Sequence, residues 1–412
     1  MSTNLLTNRD RLWDSLMSMA EVGPGTEGGS RRLALTDEDL AGRELFISWC
    51  REAGCRIGID QMGNIFARRE GTDPDAAPVM TGSHLDTQPH GGKFDGVYGV
   101  LAGLEVIRSL NDMNIQTRAP VEVVCWTNEE GSRFSPAMVG SGVFAGQFTL
   151  DYGLARTDAD GITLGSELVR IGHNGGEPCA PRPVAAYFEA HIEQGPILEG
   201  AEKTIGVVTG GQGSSWFEVT FSGQDSHAGT TPMNVRRDAL LGAARLVVAV
   251  NEIGFRNQEV GVTTVGRLDV EPNSRNTIPG AVSLDADIRA FSQDALEAMG
   301  RDMEAAARDI ARDLGLEVTC TLLARKAPTV FDKGMVDLVR RSSEKLGLAH
   351  MDIVSGAGHD AIYLSAIAPT AMIFIPCENG LSHNEAESAT PDDITAGTNV
   401  LLAAMLQAAG QD

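Results

Sequence analysis

The feature that most constrains this chain is a change of rhythm along it. Between Ala77 and Ala190, short apolar runs alternate with helix-like stretches: APVMTGS (77–83), GVLAGLEVIRSL (99–110), VEVVCWT (121–127) and AAYFEA (185–190). Such alternation predicts a sheet covered by helices on both faces. After the glycine-rich TGGQG (209–213) the order becomes strand, helix, strand, strand, helix, strand. The pieces are SWFEVTFSG, a helix over 236–254, VGVTTVGRLDV (260–270), AVSLDADIRA (281–290), a helix over 292–315 and LEVTCTLLA (316–324). That is the order of a ferredoxin-like α+β unit. From about Val330 the first rhythm resumes, with a helix over 333–347, a turn SGAGHDA (355–361), a strand AMIFIP (371–376) and a helix opened by Thr390-Pro391. The expectation is therefore an α/β protein with a mixed-sheet domain formed by 1–212 and 330–412, interrupted by an inserted domain over 213–329.

Size agrees with this reading, because 412 residues are too many for one compact core. The net charge of −23 repels phosphate, which excludes nucleic acid and anionic membranes as expected partners. It also means that an anionic substrate needs a local cationic pocket. No apolar run is long enough to span a bilayer, and MSTNLLTNRDRLWDSL lacks the apolar core of a signal peptide. A cytoplasmic protein is expected. The six cysteines form no CxxC pair and read as reduced, mostly buried thiols. Residues 36–54 predict a helix capped by Thr36, with an apolar stripe through Leu45/Phe46, Trp49/Cys50 and Ala53.

The chemically active residue types fall at strand ends. His84 and Asp86 follow APVMTGS, Glu129 and Glu130 follow VEVVCWT, His191 ends AAYFEA, and His383 lies one loop after AMIFIP. Sites in open α/β sheets form outside the carboxyl ends of strands. A polar loop explains one such coincidence more easily than four. Histidine and carboxylate without cysteine suit a catalytic metal site holding zinc or manganese, and a carboxylate can bridge two cations. In Glu129-Glu130, one carboxylate can bind metal while the other moves the proton of a water; taken alone, the pair also fits a solvated turn.

The inserted segment offers fewer certain signals. His227, in SGQDSHAGTTPM, reads better in isolation as a turn residue, and Asn276 in PNSRNTIPG can likewise be only a turn residue. On AVSLDADIRA, alternation puts Asp285, Asp287 and Arg289 on one face and Leu284, Ala286 and Ile288 on the other. Arg289 is then either part of a charged, self-paired face or an anchor for a substrate carboxylate.

With these pieces in order, the chain resembles the M20 family of metal-dependent amidohydrolases and peptidases. It most resembles the hydantoinase/carbamoylase branch: N-carbamoyl-L-amino-acid hydrolase, β-ureidopropionase and allantoate amidohydrolase. The resemblance covers nearly the whole chain and rests on GSHLDT, GGKFDG, TNEEGSRF, HIEQGPILE, SHAGTTPM, NTIPG, SGAGHDA and GLSHNEAE. It implies two divalent cations per subunit, Zn²⁺ or Mn²⁺ with Co²⁺ or Ni²⁺ as alternatives. His84, Asp95 and His191 would hold one, and Asp95, Glu130 and His383 the other. It implies Asp86 as the partner orienting His84, and Glu129 as general base. His90 matches no ligand position. The inserted domain would serve as dimer interface and lid, with His227 reaching the other subunit's site to stabilise an oxyanion. Gln194, Asn276, Arg289, Gly358 and His359 would hold the substrate.

The activity implied is hydrolysis of a small N-carbamoyl (ureido) acid by a homodimer. The peptidase branch has an acidic residue where HIEQG offers His191, which favours an amidohydrolase. The Gln88-Pro89 pair resembles the carbamoyl-amino-acid and β-ureidopropionase types more than allantoate enzymes. The alternatives are an allantoate or ureidoglycolate amidohydrolase, an M20 peptidase, and a non-catalytic metal-holding protein. Retention of Glu129 beside Glu130 argues against the last.

Overall fold

The computed structural model of the protein describes residues 5–410. Along the chain the strands are β1 (Arg56–Ile59), β2 (Ile65–Arg69), β3 (Val79–His84), β4 (Val121–Trp126), β5 (Ala186–Ile192) and β6 (Ile205–Gly211). There follow β7 (Gly213–Ser222), β8 (Ser226–His227), β9 (Gly261–Glu271), β10 (Thr277–Ile278), β11 (Ala281–Ala290) and β12 (Glu317–Lys326). The last three are β13 (Thr329–Val330), β14 (His350–Ser355) and β15 (Thr370–Ile375). By internal contacts the chain forms two compact units. One comprises the residues up to Thr209 and from Phe331 onward; the other is Gly210–Val330.

The first unit carries a mixed sheet in the order β1-β2-β4-β3-β5-β15-β6, with β14 also paired to β6; β13 pairs with the last two residues of β6, Gly210 and Gly211, where the second unit begins. At its centre β4, β3, β5 and β15 run parallel. Antiparallel pairings flank them. Central strands of this kind are buried on both faces, and β3, β4, β5 and β15 are buried at every position. One face is covered by the helix Val97–Asp112. Its Gly99 and Gly103 leave so little room that an added Cβ would lie 2.8 Å from Ser83 and 2.9 Å from Thr81. The other face carries Trp126, whose ring lies 5.2 Å from Phe144 of the helix Val139–Phe144. The Trp126 indole N–H donates to the Tyr187 hydroxyl at 3.0 Å, so the large ring is buried with its polar atom satisfied.

The predicted capped helices are present. Asp37–Glu52 begins after Thr36, whose hydroxyl accepts from Asp39 N–H. Pro391–Ala409 begins after Thr390, which accepts from Asp393 N–H. The strand read over 77–83 is displaced, running from Val79 to His84, so His84 ends the strand rather than following it. β6 was not anticipated: its glycine-rich end, TGG, resembles a linker, yet Gly206, Val207 and Val208 pair with β15 and Gly210 and Gly211 with β13.

The second unit has a sheet in the order β12-β7-β11-β9, antiparallel throughout. With the helices Ala239–Arg256 and Gln293–Leu314 this is the ferredoxin-like arrangement. Its own core joins Phe217, Val219, Leu284 and Ile288 of the sheet to Leu246, Val250, Met299 and Met303 of the helices. β11 alternates as read: Leu284, Ala286 and Ile288 are buried, and Asp285, Asp287 and Arg289 are half-buried on the opposite face. Among the described residues, no helix is long and apolar enough to cross a membrane. All six cysteines are free, and Cys320 alone among them is not fully buried.

Candidate metal centre

Because β4, β3, β5 and β15 are parallel, their carboxyl ends share one edge of the sheet. That shared edge gathers residues distant in sequence. His84 closes β3, Glu129 and Glu130 follow β4, His191 is next to last in β5, and His383 lies beyond β15. Asp95 comes from the loop between β3 and the helix Val97–Asp112.

Two ligand groups result: His84, Asp95 and His191, and Asp95, Glu130 and His383, the candidate atoms of each within 4.8 Å of one another. Asp95 divides its carboxylate between them. Its Oδ1 lies 3.2 Å from His191 Nε2 and 3.7 Å from His84 Nε2. Its Oδ2 lies 3.3 Å from His383 Nε2, which is 3.4 Å from Glu130 Oε2. Two of the rings are oriented as metal binding needs. His84 Nδ1 donates to the Asp86 carbonyl at 2.8 Å and His191 Nδ1 to the Ile192 carbonyl at 2.9 Å, which turns Nε2 of both rings towards Asp95. The donor set therefore fits divalent cations.

Electrostatics point the same way. Burial raises Glu129 well above the usual carboxylate range, with Asp360, Glu130, Asp86 and Asp95 adding to the rise. Burial and Asp95 push Glu130 up to about 8. Burial lowers His84 to about 4. Burial alone would raise Asp95, but bonds from His191 and His383 hold it well below its ordinary value. Crowded carboxylates of this kind are relieved by a cation.

Glu129 belongs to neither group, yet its Oε2 lies 3.4 Å from His84 Nε2. Its position is set from behind by Asp86, which meets both His84 and the segment that carries Glu129. It is the main-chain carbonyl of Asp86 that meets His84. The Asp86 carboxylate turns away and accepts the N–H groups of Glu129 and Glu130, each at 3.2 Å. Gly96 is required by the same loop: its φ is +68°, and a Cβ there would lie 2.3 Å from the His84 ring.

The residues expected to hold substrate are placed as follows. Gln194, Gly358 and His359 line a cavity of about 150 Å³ together with the ligand groups, Glu129 and the apolar Ala137, Met138 and Ala357. Gln194 donates to Asp95 Oδ2 at 2.9 Å. His359 is buried, bonds Ser355 Oγ at 3.0 Å, and also falls with Glu189 and His191 in a third group of candidate ligands that sequence reading did not anticipate. His227, Asn276 and Arg289 belong to the second unit. β8 and β10 bring the first two together: Thr277 pairs with His227, and Ala228 N–H donates to the Asn276 carbonyl at 2.9 Å. Arg289 is held by Asp287 Oδ2, at 3.1 Å from Nε and 2.9 Å from Nη2. His90 enters no ligand group but contacts Glu385 at 3.3 Å.

Two further residues at the site carried no readable role in the sequence, and Gln88 carried only a likeness of substrate type. Ser382 and Glu387, in the GLSHNEAE segment, both reach the Asp95 loop. Gln88 donates to Glu130 Oε2 at 2.6 Å, which gives the Gln88-Pro89 pair a physical place beside a ligand.

Comparison with known proteins places the chain among its relatives. An N-carbamoyl-L-amino-acid amidohydrolase of Rhizobium meliloti is 52% identical over 406 residues, 98% of each chain. An allantoate amidohydrolase of Bacillus subtilis (strain 168) is more distant, 31% identical over 406 residues, 97% of this chain and 98% of that one. The crystal structure of an amidase of the hydantoinase/carbamoylase family from Burkholderia multivorans is 57% identical, with a TM-score of 0.94 and 99% of each chain covered. Residues 80–407 match Peptidase family M20/M25/M40, and the chain belongs to that family.

Proposed function

We propose that this protein is a metal-dependent amidohydrolase that cleaves the ureido group of N-carbamoyl-L-amino acids, releasing the amino acid, carbon dioxide and ammonia. One observation carries the reading. Asp95 gives one carboxylate oxygen to each of two ligand groups, and Glu129 stands beside them in neither. Likeness to an amidohydrolase named for these substrates supports the substrate class.

His84, Asp95 and His191 would hold one divalent cation, and Asp95, Glu130 and His383 a second, with nitrogen and oxygen donors that suit zinc, manganese, cobalt or nickel. When bound, such cations supply Lewis acidity, polarising a carbonyl and lowering the pKa of water. The chain's own residues do the rest. Water attacks the ureido carbonyl carbon, and Glu129 takes a proton from it and delivers it to the leaving nitrogen. The amino acid departs, and the remaining carbamate falls apart to carbon dioxide and ammonia. Asp86 holds the base in register through the two N–H groups behind it.

Oxyanion stabilisation is assigned to His227 of a second subunit, so the active form is a homodimer. Its Nδ1 accepts from Gly229 and Thr230 N–H at 3.0 and 3.2 Å, which supports Nε2 as the donor. Arg289 and Asn276 would hold the substrate carboxylate, and Gln194, Gly358 and His359 the reacting end. The reading includes a cytoplasmic location, in keeping with the acidic composition and free thiols.

Ammonia release across a substrate panel tests it, with Mn²⁺ or Zn²⁺ added. The panel contains several N-carbamoyl-L-amino acids, N-carbamoyl-β-alanine, allantoate, ureidoglycolate and a dipeptide. The N-carbamoyl-L-amino acids are expected to give the highest kcat/KM. Preference for allantoate, ureidoglycolate or the dipeptide would overturn the substrate assignment.

A further inference from the structure

Glu387 is nearly inaccessible to solvent, with 4% of its surface exposed, and it has no arginine or lysine against it among its described contacts. A buried carboxylate costs several kcal/mol unless its oxygens are satisfied. Here each oxygen is occupied by a group from the candidate metal centre. Oε1 accepts the N–H of Phe94 at 2.9 Å and that of Asp95 at 3.1 Å. Oε2 lies 2.9 Å from the Ser382 hydroxyl. That hydroxyl lies 3.1 Å from Asp95 Oδ2 and accepts from the Gln194 amide at 3.1 Å. A hydroxyl has one proton, so Ser382 links the two carboxylates through a single hydrogen. The loop is built around this side chain: a Cβ on Gly92 would lie 2.0 Å from Glu387. His383, between Ser382 and Glu387, has a φ of +52°, a conformation that a non-glycine residue holds only when its surroundings enforce it.

We propose that Glu387 is a positioning residue of the metal centre: it clamps the backbone of Phe94 and Asp95 and, through Ser382, orients the Asp95 carboxylate so that one oxygen serves each ligand group. The same clamp keeps His383 against Oδ2. This goes beyond the proposed hydrolysis but rests on the metal reading. Partners that orient ligands typically change metal affinity 10–100-fold when removed.

The test is Mn²⁺ binding by the full chain, followed by calorimetry or equilibrium dialysis, alongside the melting temperature and the kcat and KM of the wild type and variants. Glu387→Ala is expected to weaken Mn²⁺ binding about 10–100-fold and to lower kcat more than it raises KM. Glu387→Gln keeps an acceptor for the two N–H groups and is expected to recover most of the affinity. Mn²⁺ affinity within about twofold of wild type in Glu387→Ala, with only a lower melting temperature, would reduce Glu387 to a loop staple and overturn the proposal. Should that variant not fold, Ser382→Ala removes one hydroxyl alone; about tenfold weaker binding supports the relay, and unchanged binding overturns it. A wild-type protein that takes up no Mn²⁺ sinks the metal reading and this proposal together. A wild type that binds, with variants that bind equally, sinks only the role of Glu387.

Discussion

Glu129 and Glu130 are adjacent in sequence and have different surroundings. Glu130 Oε2 is tied to Gln88 and lies near His383, within a ligand group. Glu129 faces His84 from outside both groups, crowded by Asp360 and its own neighbour. That difference predicts separable phenotypes. Glu129→Gln keeps the side-chain volume and is expected to lower turnover by about 10²–10⁴, with metal uptake unchanged. Metal analysis beside a steady-state assay checks this; a normal rate would remove Glu129 from the proton path. At this scale much of the site was legible, because His and acid at the ends of predicted strands identify an edge. What spacing could not convey is which atom of a residue is used. Asp86 serves His84 through its carbonyl and Glu129 through its carboxylate. Glu387 reads as one acid among the many on a −23 chain until its burial is seen.

Elements brace the site from a distance. In the turn between β1 and β2, the Asp60 carboxylate accepts N–H groups of Met62 and Asn64 and the Asn64 amide. Asn64 then accepts from Thr127 N–H at 2.9 Å and donates to the Gly140 carbonyl at 3.2 Å, so the turn steadies the segment that carries Glu129. Burial pushes Asp60 up to about 6 from its ordinary 3.8. The folded protein therefore holds a proton between those values that the unfolded chain has lost. This contribution is fully present below about pH 4 and disappears as pH rises through about 6, at most about 3 kcal/mol. Asp60→Asn is expected to flatten that part of the stability profile, read as melting temperature from pH 4 to pH 7. An unchanged slope would mean the folded state holds no such proton. Element type was readable where the side-chain period was strong: β11 alternates through ten residues, and its faces came out as expected. β6 was missed because glycines carry no period. β1 and β2 are short, at four and five residues.

At the scale of the whole molecule, the proposed homodimer would complete each site with a residue of the other copy. If His227 serves the neighbouring subunit, mixing two separately inactive dimers, His227→Ala and Glu129→Gln, restores part of the activity once subunits exchange. No recovery after exchange has been verified would assign His227 to its own subunit. The division into two units also bears on how such a protein comes apart and is rebuilt. Thr329 pairs with Gly211 and Val330 with Gly210, in an antiparallel register. Residues paired in this way have Cα atoms about 4.5–5.5 Å apart. The chain thus leaves and re-enters at one doorway, and the main sheet experiences the inserted unit as an oversized hairpin loop. A tight turn of a few residues would close that doorway. The insert is in effect a cassette: its excision is expected to leave the strands of the metal-binding unit in their order along the chain.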